Sequence, residues 1–484
     1  MNQNFANYIE LFSNRENRKL LVKGYWGLEK ESQRVLSSGE LALTPHPKAF
    51  GDKLTNPYIT TDFSESQLEF ITPPFESIEK SYDFLCELHN KANKILDNEL
   101  LWPLSMPPKL PDEKLIPIAK FNNSPQGKEQ EIYRKGLALR YGKKMQMICG
   151  VHYNFSFSDR LLDLLYQQKT LKIPKQEFIN DLYFSLGRNF LRYKWLLIYL
   201  FGASPSFDSS YNSVLTKELE IIKHCCPQDL NFVDKYEQYA TSLRLSRFGY
   251  SSTLQGKYSI SYNSLKEYIL GLRKLLNTPC KEYLKLGTVI NGEITQLNTN
   301  VLQKESEFYS PIRFKQYLNK GENSLDALEK RGVKYIEIRI LDLNPFEKTG
   351  LSLSQLYFLH VFMIFCLFEE NKAISEEELT EINLNHHLVA LSGRRSDLVL
   401  YDYNSKIKSL TDYGTETFKK LEIVALLMDK AVKDNKYTKS VLKEKEKLFD
   451  ISLLPSSLIY NETKNNNETF LEFGLRCAKN NLWR

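Results

Sequence analysis

The 484-residue chain is poor in the features that usually announce a function. Its seven cysteines are an odd number with no C-x-x-C pair, which excludes a disulfide framework and points to free thiols in a reducing compartment. His224-Cys225-Cys226 is a soft-metal candidate, but no second cluster completes it. Neither G-x-x-x-x-G-K-[ST] nor G-x-G-x-x-G occurs, so P-loop and Rossmann phosphate sites are excluded. The longest apolar runs, Trp195–Ala203 and Leu356–Phe368, fall short of the roughly 18 residues a membrane span needs and read as buried core helices. No basic flank followed by an apolar core opens the chain, so no signal peptide and a cytoplasmic location are expected. The N-x-T matches at Asn461 and Asn467 are then chance. Lys and Arg together number 65 against 59 Asp and Glu; without a concentrated basic face, nucleic acid is not an expected partner. The Lys430–Lys447 run alternates signs with Asp434, Glu444 and Glu446 and reads as a solvated helix face. Internal repeats and Gly-, Ser- or Pro-rich linkers are absent, so residues 1–484 are read as one domain.

What is present is 42% hydrophobic and 12% aromatic residues, enough for a substantial core. Helical periodicity covers 4–20, 75–98, 160–202, 263–277, 353–371, 376–389 and 415–448. Strand-like segments include 145–157, 242–246, 297–314 and 333–342, with loops at 106–127 and around 465–467. Strands and helices do not alternate in a βαβ rhythm. The expected fold is therefore α+β: a mainly antiparallel sheet within about 20–345, helices on one face, a polar cavity on the other, and a mainly helical part over about 350–484.

Four segments place acidic or metal-capable residues at alternate positions: 27–31, 67–70, 151–156 and 335–340. Residues i and i+2 of a strand share a face. Glu29 would thus lie with Glu31, His152 with Asn154 and Ser156, and Glu337 with Arg339. Singly, these have plainer readings: an exposed strand face, a buried histidine, an ion pair. Together, with little lysine or arginine in the same segments, Glu29, Glu31, Asp62, Glu69, Glu337 and His152 suggest a surface for Mg²⁺ that bridges phosphates. Arg339 stands two residues from Glu337, placed to meet a phosphoryl oxygen. The residues point to a magnesium- and phosphate-handling enzyme and name no substrate.

The segments GLEKESQRV from Gly27, ITTDFSE from Ile59, LEFITP from Leu68 and WPLSMP from Trp102 carry a resemblance. So do GVHYNFS from Gly150, YLFGASP from Tyr199, ATSLRLS from Ala240, YSPIR from Tyr309 and YIEIR from Tyr335. In that order they resemble the bacterial single-domain glutamate–cysteine ligases over most of the chain. The resemblance implies a funnel-shaped curved sheet similar to glutamine synthetase and the guanidino kinases. It implies ATP-dependent coupling of L-glutamate, through γ-glutamyl phosphate, to L-cysteine, the first step of glutathione synthesis. Glu29, Glu31, Asp62, Glu69, His152 and Glu337 match the family's magnesium residues, for two or three ions with Mn²⁺ as an alternative. Arg339 and Arg244 match arginines near the phosphoryl group and substrate carboxylates. Phe63, Tyr133, Leu137, Gln146, Tyr250 and Tyr309 match the cysteine pocket, and Arg134 falls in a matching segment. Lys30 stands where many members have Arg. A monomer without a glutathione synthetase module is expected. Another amine acceptor, or a regulatory subunit that keeps the fold, are the competing readings.

Overall fold

The computed structural model describes residues 2–168, 173–225, 236–249, 255 and 257–481. Its centre is a seven-stranded sheet formed by β1 (Gly24–Leu36), β2 (Ile59–Thr61), β3 (Gln67–Ile71), β4 (Glu99–Leu101), β5 (Val151–Phe157), β8 (Ile312–Lys315) and β9 (Tyr335–Leu341). The order is β2-β3-β1-β5-β9-β8, with β4 on the far part of β1, and every pairing is antiparallel. Two small hairpins stand apart, β6 (Val289–Ile290) with β7 (Glu293–Ile294) and β10 (Val399–Tyr401) with β11 (Ile407–Ser409).

The helices include α1 (Gln3–Ser13), α2 (Ile78–Ile95), α3 (Pro125–Tyr141), α4 (Lys175–Phe201), α5 (Leu353–Phe368), α6 (Glu376–Ser392), α7 (Leu410–Val432) and α8 (Lys436–Glu446). Serines open many of them. The hydroxyls of Ser77, Ser124, Ser352, Ser375 and Ser409 accept from backbone N–H groups in the first turns of α2, α3, α5, α6 and α7, each cap contributing about 1 kcal/mol. α5 is apolar all round and so must be buried; its residues from Phe358 to Phe368 are all buried.

The alternation decides which face goes where. Trp26 and Leu28 of β1, Val151, Tyr153 and Phe155 of β5, and Ile336, Ile338 and Ile340 of β9 are buried within one core that runs from Phe5 to Leu454. That burial stabilises by roughly 1.5–3 kcal/mol per large apolar side chain. The fold is α+β, and among the described residues no helix is long and apolar enough to cross a membrane.

Several boundaries differ from expectation. Residues 242–246 form turns, touching Ser204 through one isolated bridge at Ser242 rather than forming a strand. Only Ile312–Lys315 of the 297–314 segment extends as strand; Asn298, Asn300 and Gln303 hold the preceding stretch through side-chain to backbone bonds, which compete with a ladder. The single long helix expected over 415–448 is two, broken where Lys433 takes a left-handed φ of 56°. The loop expected around 465–467 falls at 466–469, between the helices Pro455–Asn465 and Phe470–Asn480.

Candidate active site

Register builds the site. Glu31 lies opposite Glu69 across β1 and β3, Glu29 opposite His152 across β1 and β5, and Asn154 and Arg313 on either side of Glu337. A register shift in the β5–β9 pairing falls between Val151 and Tyr153, at His152, a common device beside functional sites.

At one end, His152 Nδ1 donates to Glu29 Oε2 at 3.0 Å, and Asn154 Nδ2 donates to Glu29 Oε1 at 2.9 Å. With the proton on Nδ1, Nε2 keeps its lone pair, 4.0 Å from Glu31 Oε1. Ligand atoms of Glu29, His152 and Glu337 lie within 4.8 Å of one another. Glu337 also bonds Arg339 Nη1, and Lys315 Nζ stands 3.2 Å and Arg313 Nη1 3.9 Å from its oxygens.

Electrostatics divide the acids. Burial opposes ionisation of Glu337, yet Lys315, Arg339 and Arg313 hold it well below the usual carboxylate range. Burial likewise opposes ionisation of Glu29, but the hydrogen bond from His152 and the nearby positive charge of Lys315 together lower it. Burial, then Arg339, lowers His152 and keeps the imidazole neutral. Glu31 is pushed up to about 8 by burial and then by Asp62. Glu69 is raised well above the ordinary value by burial, then Asp62, Glu29 and Glu31. Crowded, buried carboxylates of this kind call for positive charge, and a donor set of carboxylate oxygens with one imidazole suits a hard divalent cation.

The surrounding chain fixes the arginines. Arg244 Nη2 donates to Arg339 O at 2.9 Å, and its Nη1 lies 3.5 Å from Asp342. Asp342 in turn accepts from Ala203 N at 2.9 Å and Ser204 Oγ at 2.6 Å, so the YLFGASP turn serves to hold an arginine. Gly150 is needed here: a Cβ on it would sit 2.1 Å from Arg244 Nη2. Its own N–H donates to Glu31 at 3.1 Å. Arg134 Nε bonds Asp62 O, and its guanidinium lies 4.7 Å from the Phe121 ring. It therefore braces the Asp62 segment.

Phe63 and Leu137 are buried in one apolar cluster, with Tyr133 and Tyr309 packed against it. Gln146 Nε2 donates to Tyr309 Oη at 3.2 Å. Tyr250 lies outside the described residues, as does Cys226 of the cysteine pair. A cavity of about 540 Å³ opens on the polar face, lined by Glu31, His152, Arg244, Arg339 and Tyr309 among others.

Sequence reasoning missed Arg313 and Lys315, and the sparse basic charge expected on this face is corrected accordingly. Their signal was present, since Ile312 and Phe314 alternate with them, but facing Glu337 depends on the β8–β9 pairing. Asp342, the anchor of Arg244, was also missed.

Carboxylates, an imidazole and convergent arginines at one sheet face fit a class: enzymes that handle phosphoryl groups. Comparison narrows the class to a family. The chain belongs to the glutamate–cysteine ligase family, whose pattern its residues 9–389 match. It is 54% identical over 480 residues to the glutamate–cysteine ligase of Clostridium acetobutylicum, covering 99% of this chain and 100% of the relative. The enzyme of that name from Pseudomonas savastanoi pv. phaseolicola is 43% identical over 97% of this chain and 87% of its own length. Among solved structures, the glutamate–cysteine ligase of Francisella tularensis in complex with AMP superposes with a TM-score of 0.85 at 34% identity, covering 95% of this chain and 88% of that one. A bifunctional glutathione synthetase from Pasteurella multocida gives 0.74 at 28% identity, this chain spanning 54% of it.

Proposed function

We infer that this protein is a glutamate–cysteine ligase: it joins the γ-carboxylate of L-glutamate to the amine of L-cysteine with ATP, giving γ-glutamylcysteine, ADP and phosphate. An oxygen of the γ-carboxylate takes the γ-phosphoryl group, releasing ADP. The cysteine amine then attacks the acyl carbon, the C–O bond to phosphate breaks, and the amine proton is lost. The product enters glutathione synthesis. The observation that carries this reading is the row Glu69–Glu31 and Glu29–His152, continued by Glu337, beside Arg244 and Arg339.

The finer assignments are ours. Glu29, Glu31, Asp62, Glu69, His152 and Glu337 would hold two or three Mg²⁺ ions, with Mn²⁺ as an alternative. Bound there, the cations neutralise charge between carboxylate and phosphate. Arg339 and Arg244 orient the phosphoryl group and a substrate carboxylate with their planar forks. Phe63, Tyr133, Leu137, Gln146 and Tyr309, with Tyr250, form the thiol-bearing substrate's pocket, aromatic walls with hydroxyl handles. Arg134 supports it. The sheet acts as the curved wall of a funnel like that of glutamine synthetase, in a monomeric, cytoplasmic, single-domain enzyme.

The test is ADP release from ATP and glutamate, with and without cysteine, with the product identified by mass. A product heavier than glutamate by cysteine less water is expected. Turnover with other amines and none with cysteine would overturn the acceptor.

A further inference from the structure

The cavity does not stop at the carboxylates. It extends to Lys194 on α4 and to Asn383, His386 and His387 on α6, none of which belongs to the site inferred for ligation. Lys194 is 3% exposed. Its ammonium has no carboxylate within 4 Å among the described residues, and a 3.4 Å contact to Asn383 Oδ1 is the hydrogen bond found for it there. Arg247 lines the same cavity, as does Glu376, exposed in the first turn of α6. An ammonium buried without a countercharge is costly, and such groups are rarely kept without a partner. Burial pushes Lys194 down to about 7, so the charge is only marginally held.

The two imidazoles add a second observation. Nδ1 of His386 and Nδ1 of His387 are buried and have no hydrogen-bond partner among the described residues. His386 Nε2 donates to Leu245 O at 2.8 Å, which leaves its Nδ1 an acceptor. His387 can carry its proton on Nδ1 and donate. Burial lowers both imidazoles, that of His386 to about 3, with the charges of Lys194 and Arg247 acting in the same direction, so the group presents two cationic side chains, a neutral donor and a neutral acceptor.

We propose that this end of the cavity is a separate binding subsite for a small molecule bearing a carboxylate next to an N–H group, the chemistry of an amino-acid or peptide end. Lys194 and His387 hold the carboxylate, and His386 Nδ1 accepts from the N–H. The acceptor, His386 Nδ1, adds a requirement for an N–H beside the anionic group that acetate cannot meet.

The experiment is calorimetric titration of the full chain with N-acetylglycine in the presence of saturating L-glutamate. One site per chain is expected, at least tenfold weaker for acetate and for the K194M variant. H387Q, which keeps an N–H donor, should bind within a few-fold of wild type, whereas H386L should lose the preference over acetate. K194M should melt no lower than wild type, because it removes an unpaired buried charge. If K194M does not fold, the H386L and H387Q arms decide. Equal binding by K194M, binding abolished by glutamate, or inorganic phosphate binding as well as N-acetylglycine would each overturn the proposal. The titration needs no turnover, so it stands or falls apart from the ligase assignment.

Discussion

Glu31 and Glu69 face one another across β1 and β3, and burial holds both carboxyls above the ordinary range. The sign of the pH effect follows. A carboxyl with a folded pKa of about 8 and an unfolded value of 4.5 keeps, in the folded state, a proton the unfolded chain has lost. Stability is therefore whole below the unfolded value and falls as pH rises toward the folded one. In chelator, Tm should drop between about pH 5 and about pH 8, and Mg²⁺ should restore most of the loss at the alkaline end. Thermal melts with and without the cation check this; an alkaline Tm indifferent to Mg²⁺ would count against cation binding here. Glu29→Gln and Glu69→Gln should each cut ADP release by roughly two orders of magnitude or more, since cation neutralisation is worth several kcal/mol and about 1.4 kcal/mol is tenfold in rate. Circular dichroism should show both variants folded. The acids and His152 were legible because period-two spacing is local. Arg313 and Lys315 were not, because which cation meets which acid is set by strand pairing.

At the scale of elements, the sheet's two faces make separable predictions. Ile338 lies in the buried core behind β9, so Ile338→Ala should cost about 2–5 kcal/mol, read as a lowered denaturation midpoint. On the front, Gly150→Ala forces its Cβ into the Arg244 guanidinium. It should lower kcat by at least about tenfold, as misplacement of a positioning group does, with little change in Tm. A Gly150→Ala enzyme of normal kcat would show that Arg244 needs no such approach. Strands with clean alternation and helices with apolar stripes could be read from sequence. The turns at 242–246 could not, because alternation also arises where Ser246 and Leu243 bond each other within a tight turn.

For the molecule as a whole, one apolar core links α1 to Leu454 through both the sheet and the C-terminal helices. Calorimetry should therefore record a single unfolding transition. Two resolved transitions would divide the chain near residue 350, where expectation placed the change from sheet-forming to helical sequence. That the sheet comes from residues 24–341 and helices dominate afterwards was foreseeable from composition and period. The cavity reaching α4 and α6 was not, since it depends on how two distant helices pack.

β1 is shared by both halves of the acid cluster: Glu31 lies in register with Glu69 of β3, and Glu29 with His152 of β5. The span between the halves is thus two residues of extended backbone, about 6.6–6.8 Å. A strand makes a stiff ruler. Loops around the sheet can lengthen, shorten or drift without changing the interval at which charge meets substrate, and only an insertion inside three consecutive residues would recalibrate it.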